Sequence, residues 1–361
     1  MREVGGAYTD GAADAAANPK ELQLSRNFKS DNVTPVCEPI MAAIHAANQG
    51  SAPSYGGDDL TERLQSVASE VFGTDVAIFP VTTGTAANAL ALAQITPPFG
   101  AVYCHQAAHI VTDECGAPGF FSGGAQLALL PGEHGRLLPE KLLEALAAPV
   151  DLHRVQPAAL SLTQPTEAGT VYRPEDISKL AAIAHGRGLK VHMDGARLAN
   201  ALVFLDCEPG EITWRAGVDV LSFGATKNGA LAAEAVVFFD RALVRDFELR
   251  RKRAGQLLSK SRYVAAQLIA YVEDGLWKRN AARTNALATR IGRSAGAALL
   301  HPVQANEVFL RLGVPRRRAL REAGFEFYDS GAESRGEARF VVAWDQPESD
   351  VQALCEALGS Q

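Results

Sequence analysis

What most limits the fold of this chain is an alternation of short apolar runs with helical patterns, from residue 58 to about residue 239. Asp58 to Phe72 places Leu60, Leu64, Val67, Ala68 and Val71 on one helical face. Val76 to Pro80 reads as a short buried strand, followed by a small-residue helix from Gly84 to Gln94. Ala101–Cys104, Gln126–Leu130, Ala158–Leu162, Leu189–Met193, Asp219–Phe223 and Ala235–Phe239 read as further strands, and Arg173-Pro174-Glu175 opens a helix to about Gly186. Near-continuous apolar strands separated by helices predict an α/β fold with a mostly parallel sheet covered on both faces. In such sheets ligands bind beyond the carboxyl ends of the strands, so the polar residues there are the candidate functional groups.

After Asp240 the pattern is helical to about Leu300. A strand (Asn306–Leu312), a helix (Pro315–Ala323), strands at Glu326–Tyr328 and Arg339–Trp344, and a terminal helix follow. The expected organisation is a tail over 1–20, rich in Ala, Gly and Asp and with no core to bury, a large domain over 21–275, and a small α+β domain over 276–361. A net charge of −6 argues against nucleic acid or an anionic membrane as partner. Five scattered cysteines with no CxxC pair point to reduced thiols, no zinc site and a cytoplasmic setting. The most apolar stretch, Gly229 to Phe239, is interrupted by Glu234 and is too short to span a bilayer; no secretory leader is visible.

Three strand ends carry chemistry. Thr83-Gly84-Thr85 opens a helix and offers backbone N–H groups and hydroxyls to an anion, without the Lys of a nucleotide-binding P-loop. Asp194 follows the strand at Leu189, where it either caps a helix or faces the crevice. Lys227 is the one cation among small and apolar residues after the strand at Asp219, and there it can act as an amine nucleophile. An anion cradle, an acid and an amine, each at a strand end, are what pyridoxal 5'-phosphate (PLP) requires: a seat for its phosphate, a partner for its ring nitrogen and a Schiff-base lysine.

Phe28-Lys-Ser-Asp-Asn-Val33, Tyr55-Gly-Gly-Asp58, Thr83-Gly-Thr85, Gln106-Ala-Ala-His109, Asp151-Leu-His153, His192-Met-Asp-Gly-Ala-Arg197 and Thr226-Lys227 share an order and spacing that resembles the threonine aldolases. These are PLP-dependent enzymes of fold type I (aspartate aminotransferase-like), and the resemblance runs from about Leu24 to the C-terminus. It implies that His109 stacks on the pyridine ring and that His153 lies near the substrate's β-hydroxyl. Ser30 and Arg339, with Arg197 nearby, would hold the substrate carboxylate. Tyr55 would be contributed across a subunit interface, in a homodimer or homotetramer whose active site is shared between subunits. The implied reaction is retro-aldol cleavage of a β-hydroxy-α-amino acid to glycine and an aldehyde, with His153 or a water it positions as base. A PLP β-eliminating lyase and a non-catalytic PLP-binding protein are the alternatives. The chain departs from many relatives at Thr163-Gln-Pro-Thr-Glu167, at Leu257–Arg262 and around Lys227, which bears on side-chain preference rather than on the cofactor.

Overall fold

The computed structural model describes residues 26–149, 151–331 and 335–359; the expected tail over 1–20 lies outside them. Its centre is a seven-stranded sheet. In chain order the strands are β1 (Ala77–Val81), β2 (Gly100–His105), β3 (Gln126–Leu130), β4 (Gln156–Thr163), β5 (Lys190–Gly195), β6 (Val220–Gly224) and β7 (Glu234–Phe238). Their order across the sheet is β1-β7-β6-β5-β4-β2-β3. All neighbours pair in parallel except β7, which is antiparallel to both β6 and β1. The reversal follows from the connection: residues 225–233 are too few for a helical crossover, so the chain turns back at the same edge. That turn carries Lys227.

Helices cover both faces. α1 (Gly84–Ile95) is built from small residues, with Ala87 through Ala93 buried, so its backbone lies close against the sheet and its N-terminus sits at the carboxyl edge. The helical stretch expected from Asp240 to Leu300 is broken where the backbone enters the left-handed region, at Gly255 (φ +72°) and at Asp274 and Gly275 (φ +51° and +67°). The two long helices it yields are α2 (Arg262–Val272) and α3 (Leu276–Ala295). α3 serves two cores: Leu276, Trp277 and Ala281 pack into the main one, while Leu287, Ala288 and Ile291 pack into a second. This second core lies under a three-stranded antiparallel sheet of β8 (Glu307–Arg311), β9 (Tyr328–Ser330) and β10 (Glu337–Val341). Phe28, from the start of the described chain, also packs there. Residues 26–27 pair with 325–326, which fixes Ser30 and Asp31 against the main sheet's carboxyl edge. No helix among the described residues is long and apolar enough to cross a membrane.

Candidate active site

The turn after β6 is held from three sides. Asn228 donates from Nδ2 to the Tyr271 hydroxyl (2.9 Å) and to the Trp277 carbonyl (3.0 Å), and Asn280 donates to the Asn228 carbonyl (2.9 Å). Gly229 follows at φ +111°, where a side chain would meet Cys37 Sγ at 3.0 Å. These contacts leave Lys227 half-buried at the sheet edge, with Asp31, Glu167, Glu234 and His109 among the groups that act on it electrostatically.

Asp194, on β5, is almost fully buried. Its Oδ1 accepts from the Ala196 N–H (3.0 Å) and its Oδ2 from Asn88 Nδ2 (2.8 Å). Each oxygen keeps a lone pair for a further donor. The same Asn88 nitrogen donates to Glu114 Oε1 (2.8 Å), and that oxygen meets His109 Nδ1 at 2.9 Å. His109, Glu114 and Asp194 offer ligand atoms all within 4.8 Å of one another, a spacing a cation could bridge. The Asn88 amide group donates to both carboxylates from that space, which makes this a hydrogen-bonded network. The Glu114 carboxylate raises the His109 pKa despite the burial that opposes it. Burial raises Glu114 itself, and its bonds to His109 and Asn88 pull it back.

At the head of α1, Thr83 spends its side-chain oxygen on the Ala86 N–H (3.1 Å). The N–H groups of Gly84 and Thr85 lie in the first turn and have no partner among the described residues, so they are free for an anion.

A second charged cluster lies across the site. Arg197 donates from Nε and Nη2 to the two Asp31 oxygens (2.6 and 3.0 Å), and its Nη1 lies 3.5 Å from Glu307 Oε2. Burial works to raise Asp31, but the Arg197 charge and hydrogen bonds carry its carboxyl below the usual range. Arg339, on β10, donates from Nε and Nη2 to Glu307 Oε1 (3.2 and 2.8 Å) and is the more open arginine, its side chain 26% exposed against 10% for Arg197. Ser30 accepts from the Asn32 N–H (3.1 Å) and keeps its own hydroxyl proton to donate. Glu167 also acts on Arg197, Lys227 and His109, and makes no hydrogen bond among the described residues. Burial and the Glu307 carboxylate push its pKa up. Its loop is placed by Gln164, whose side-chain amide clamps the Tyr172 backbone with two 2.9 Å bonds.

Lys227, Asp194, His109, Thr83, Gly84, Thr85, Arg197, Ser30 and Arg339 thus gather at one edge of the sheet. His153 does not. It is exposed, in the turn before β4, and the 8 residues of β4 put it about 25 Å from the edge where Lys227 lies. Tyr55 is half-exposed, its ring 4.1 Å from the Lys252 ammonium. Asn88, Glu114, Glu167, Glu234 and Glu307 were not singled out as site groups by sequence.

Residues 27–314 match the family described as beta-eliminating lyase. The low specificity L-threonine aldolase of Pseudomonas sp. (strain NCIMB 10558) is 42% identical over 334 residues, 91% of this chain and 96% of its own. That of Pseudomonas aeruginosa is 43% identical, covering 92% and 96%. This chain belongs to the threonine aldolase family. Among solved structures, Leishmania major threonine aldolase superposes with a TM-score of 0.87 at 25% identity, covering 92% of this chain and 98% of that one. An Escherichia coli methionine aminotransferase, at 14% identity and a TM-score of 0.68, shares the fold-type I architecture.

Proposed function

We propose that this chain is a PLP-dependent carbon–carbon lyase that cleaves a β-hydroxy-α-amino acid of the threonine type to glycine and an aldehyde. The observation that carries the reading is the meeting of Lys227 and the Asn88-anchored Asp194 at one sheet edge, beside the unpartnered amides of Gly84 and Thr85. The donor set fits the cofactor. The first turn of α1 suits its phosphate, Asp194 retains acceptor capacity for a ring N–H, His109 lies beside Asp194, and Lys227 would supply the amine for its aldehyde. Held there by Lys227 and Asp194, the cofactor would supply an electron sink for cleavage of the Cα–Cβ bond.

The rest of the chemistry falls to the chain. Arg339 and the Ser30 hydroxyl hold the substrate carboxylate, and Arg197 braces them through Asp31 and Glu307. Fixing the carboxylate orients the Cα–Cβ bond, an effect of position rather than of new bonds. Glu167, unbonded and with a raised pKa, takes the β-hydroxyl proton, the part sequence alone assigned to His153. Lys227 returns a proton to Cα. A homo-oligomeric state agrees with the exposure of Tyr55 and with His153 lying away from its own site.

The test is an absorption spectrum of purified protein with PLP, borohydride reduction, and peptide mapping, followed by assay with threonine. Label on Lys227, with acetaldehyde and glycine formed and lost in Lys227→Ala, is the expected result. A protein that takes up no PLP, or a Lys227→Ala variant cleaving threonine at the parent rate, refutes it.

A further inference from the structure

Glu234 takes no part in the chemistry above, yet it is the first residue of β7 and 6% exposed. The strand reversal brings it to the carboxyl edge, paired with Gly224 of β6 and Val81 of β1. Its Oε1 accepts from the Thr226 N–H at 3.3 Å. The Thr226 side chain also hydrogen-bonds this carboxylate. A Cβ on Gly224 would lie 2.9 Å from Oε2, and one on Gly84 4.0 Å from it. The absence of a side chain at Gly224 therefore opens the space the carboxyl group occupies, and its contact distance to Gly84 places it under the head of α1. Facing it are Lys227 from the turn, Asp194 from β5 and Tyr271 from α2; β1 and α1 meet it with Val81 and Gly84.

An ionised carboxylate here would repel any phosphate seated on the Gly84 and Thr85 amides. A protonated one would give that phosphate a third donor. We propose that Glu234 is part of the anion cradle, donating a hydrogen bond as a carboxylic acid from Oε2 to the phosphate held at Gly84 and Thr85. The inference rests on the PLP reading above. It also agrees with the environment: burial raises the Glu234 pKa to about 7, against the opposing pull of Thr226 and Lys227. Because phosphate binding favours the protonated acid, retention of the cofactor weakens as pH rises through the range in which Glu234 ionises.

The experiment measures PLP affinity by absorbance titration from about pH 6 to about pH 9, for wild type and Glu234→Gln, with pyridoxal as a control lacking phosphate. Glutamine keeps a donor and cannot ionise. PLP affinity of the wild type should fall by up to about tenfold per pH unit more steeply than that of Glu234→Gln, with no such difference for pyridoxal. Parallel PLP curves for the two proteins overturn the inference. A wild type that binds no PLP at any pH overturns instead the reading on which it rests. An infrared difference spectrum of the wild type alone is independent of how the variant folds: a carboxylic-acid C=O band should shift on adding PLP and not on adding pyridoxal. Absence of that shift also overturns the inference.

Discussion

Asn88→Leu removes the donor that separates two buried carboxylates while keeping the number and branching of the side-chain heavy atoms. Asn88 Nδ2 donates at 2.8 Å to both Glu114 and Asp194, whose nearest oxygens lie within 4.8 Å of each other. Two hydrogen bonds to ionised groups are worth about 3–6 kcal/mol together. Repulsion between unit charges at that spacing is about 3.5 kcal/mol at an effective dielectric of 20. The variant cannot hold both carboxylates ionised at that cost, so it takes up a proton on Glu114, whose pKa burial already raises. Protonated Glu114 then ceases to support the His109 imidazolium. The expected outcome is a loss of PLP affinity of roughly 10–100-fold, the range by which metal sites weaken when a residue orienting a ligand is removed. It is accompanied by a drop in the His109 titration midpoint. PLP titration by absorbance and imidazole NMR against pH measure the two effects. A variant with parent-like affinity and an unmoved His109 midpoint would refute the claim that Asn88 orients Asp194.

Glu114→Gln tests the same network from its other end: the His109 midpoint should fall, because the largest raising influence is lost and only the charges of Asp194 and Glu167 still oppose burial. A raised histidine pKa adds stability that is fully present below the unfolded value of 6.5 and is lost as pH rises through the folded value. The stability gap between wild type and variant, read from urea midpoints at about pH 6 and about pH 9, should therefore be wider on the acid side. Gly229→Ala forces a side chain at φ +111° into Cys37 Sγ (3.0 Å) and Asn280 Nδ2 (3.2 Å), at a cost of about 2–4 kcal/mol. Its urea midpoint should fall accordingly, and adding Cys37→Ala should recover only the steric share.

The sheet was legible because buried strands announce themselves as apolar runs: Gln126–Leu130 needed no revision, and most other strands shifted by a residue or two. The reversal of β7 was not legible, since an apolar strand reads the same in either direction and only the short connection marks it. Nor were the helix breaks near residues 255 and 274, which depend on left-handed backbone that Asp274 adopts without being glycine. At the site, the polar groups next to strand ends stood out, whereas Asn88 lies among alanines and leucines, where an amide resembles a tolerated polar residue. Glu114 could have been found as an acid five residues beyond His109, and Glu234 as the lone acid in an otherwise apolar strand. His153 lies away from the Lys227 edge of its own chain because its motif precedes a strand, and a strand carries its two ends to opposite edges of the sheet.

The turn between β6 and β7 fixes more than a direction. Thr226 bonds Glu234 across it, so the lysine and the acid are neighbours in space as well as along the chain. With so few residues between two paired strands there is no slack to take up an insertion or a deletion. Any change in length there would displace the amine and the acid beneath the anion seat together. For anyone redesigning this enzyme toward other substrates, that turn is the wrong place to vary.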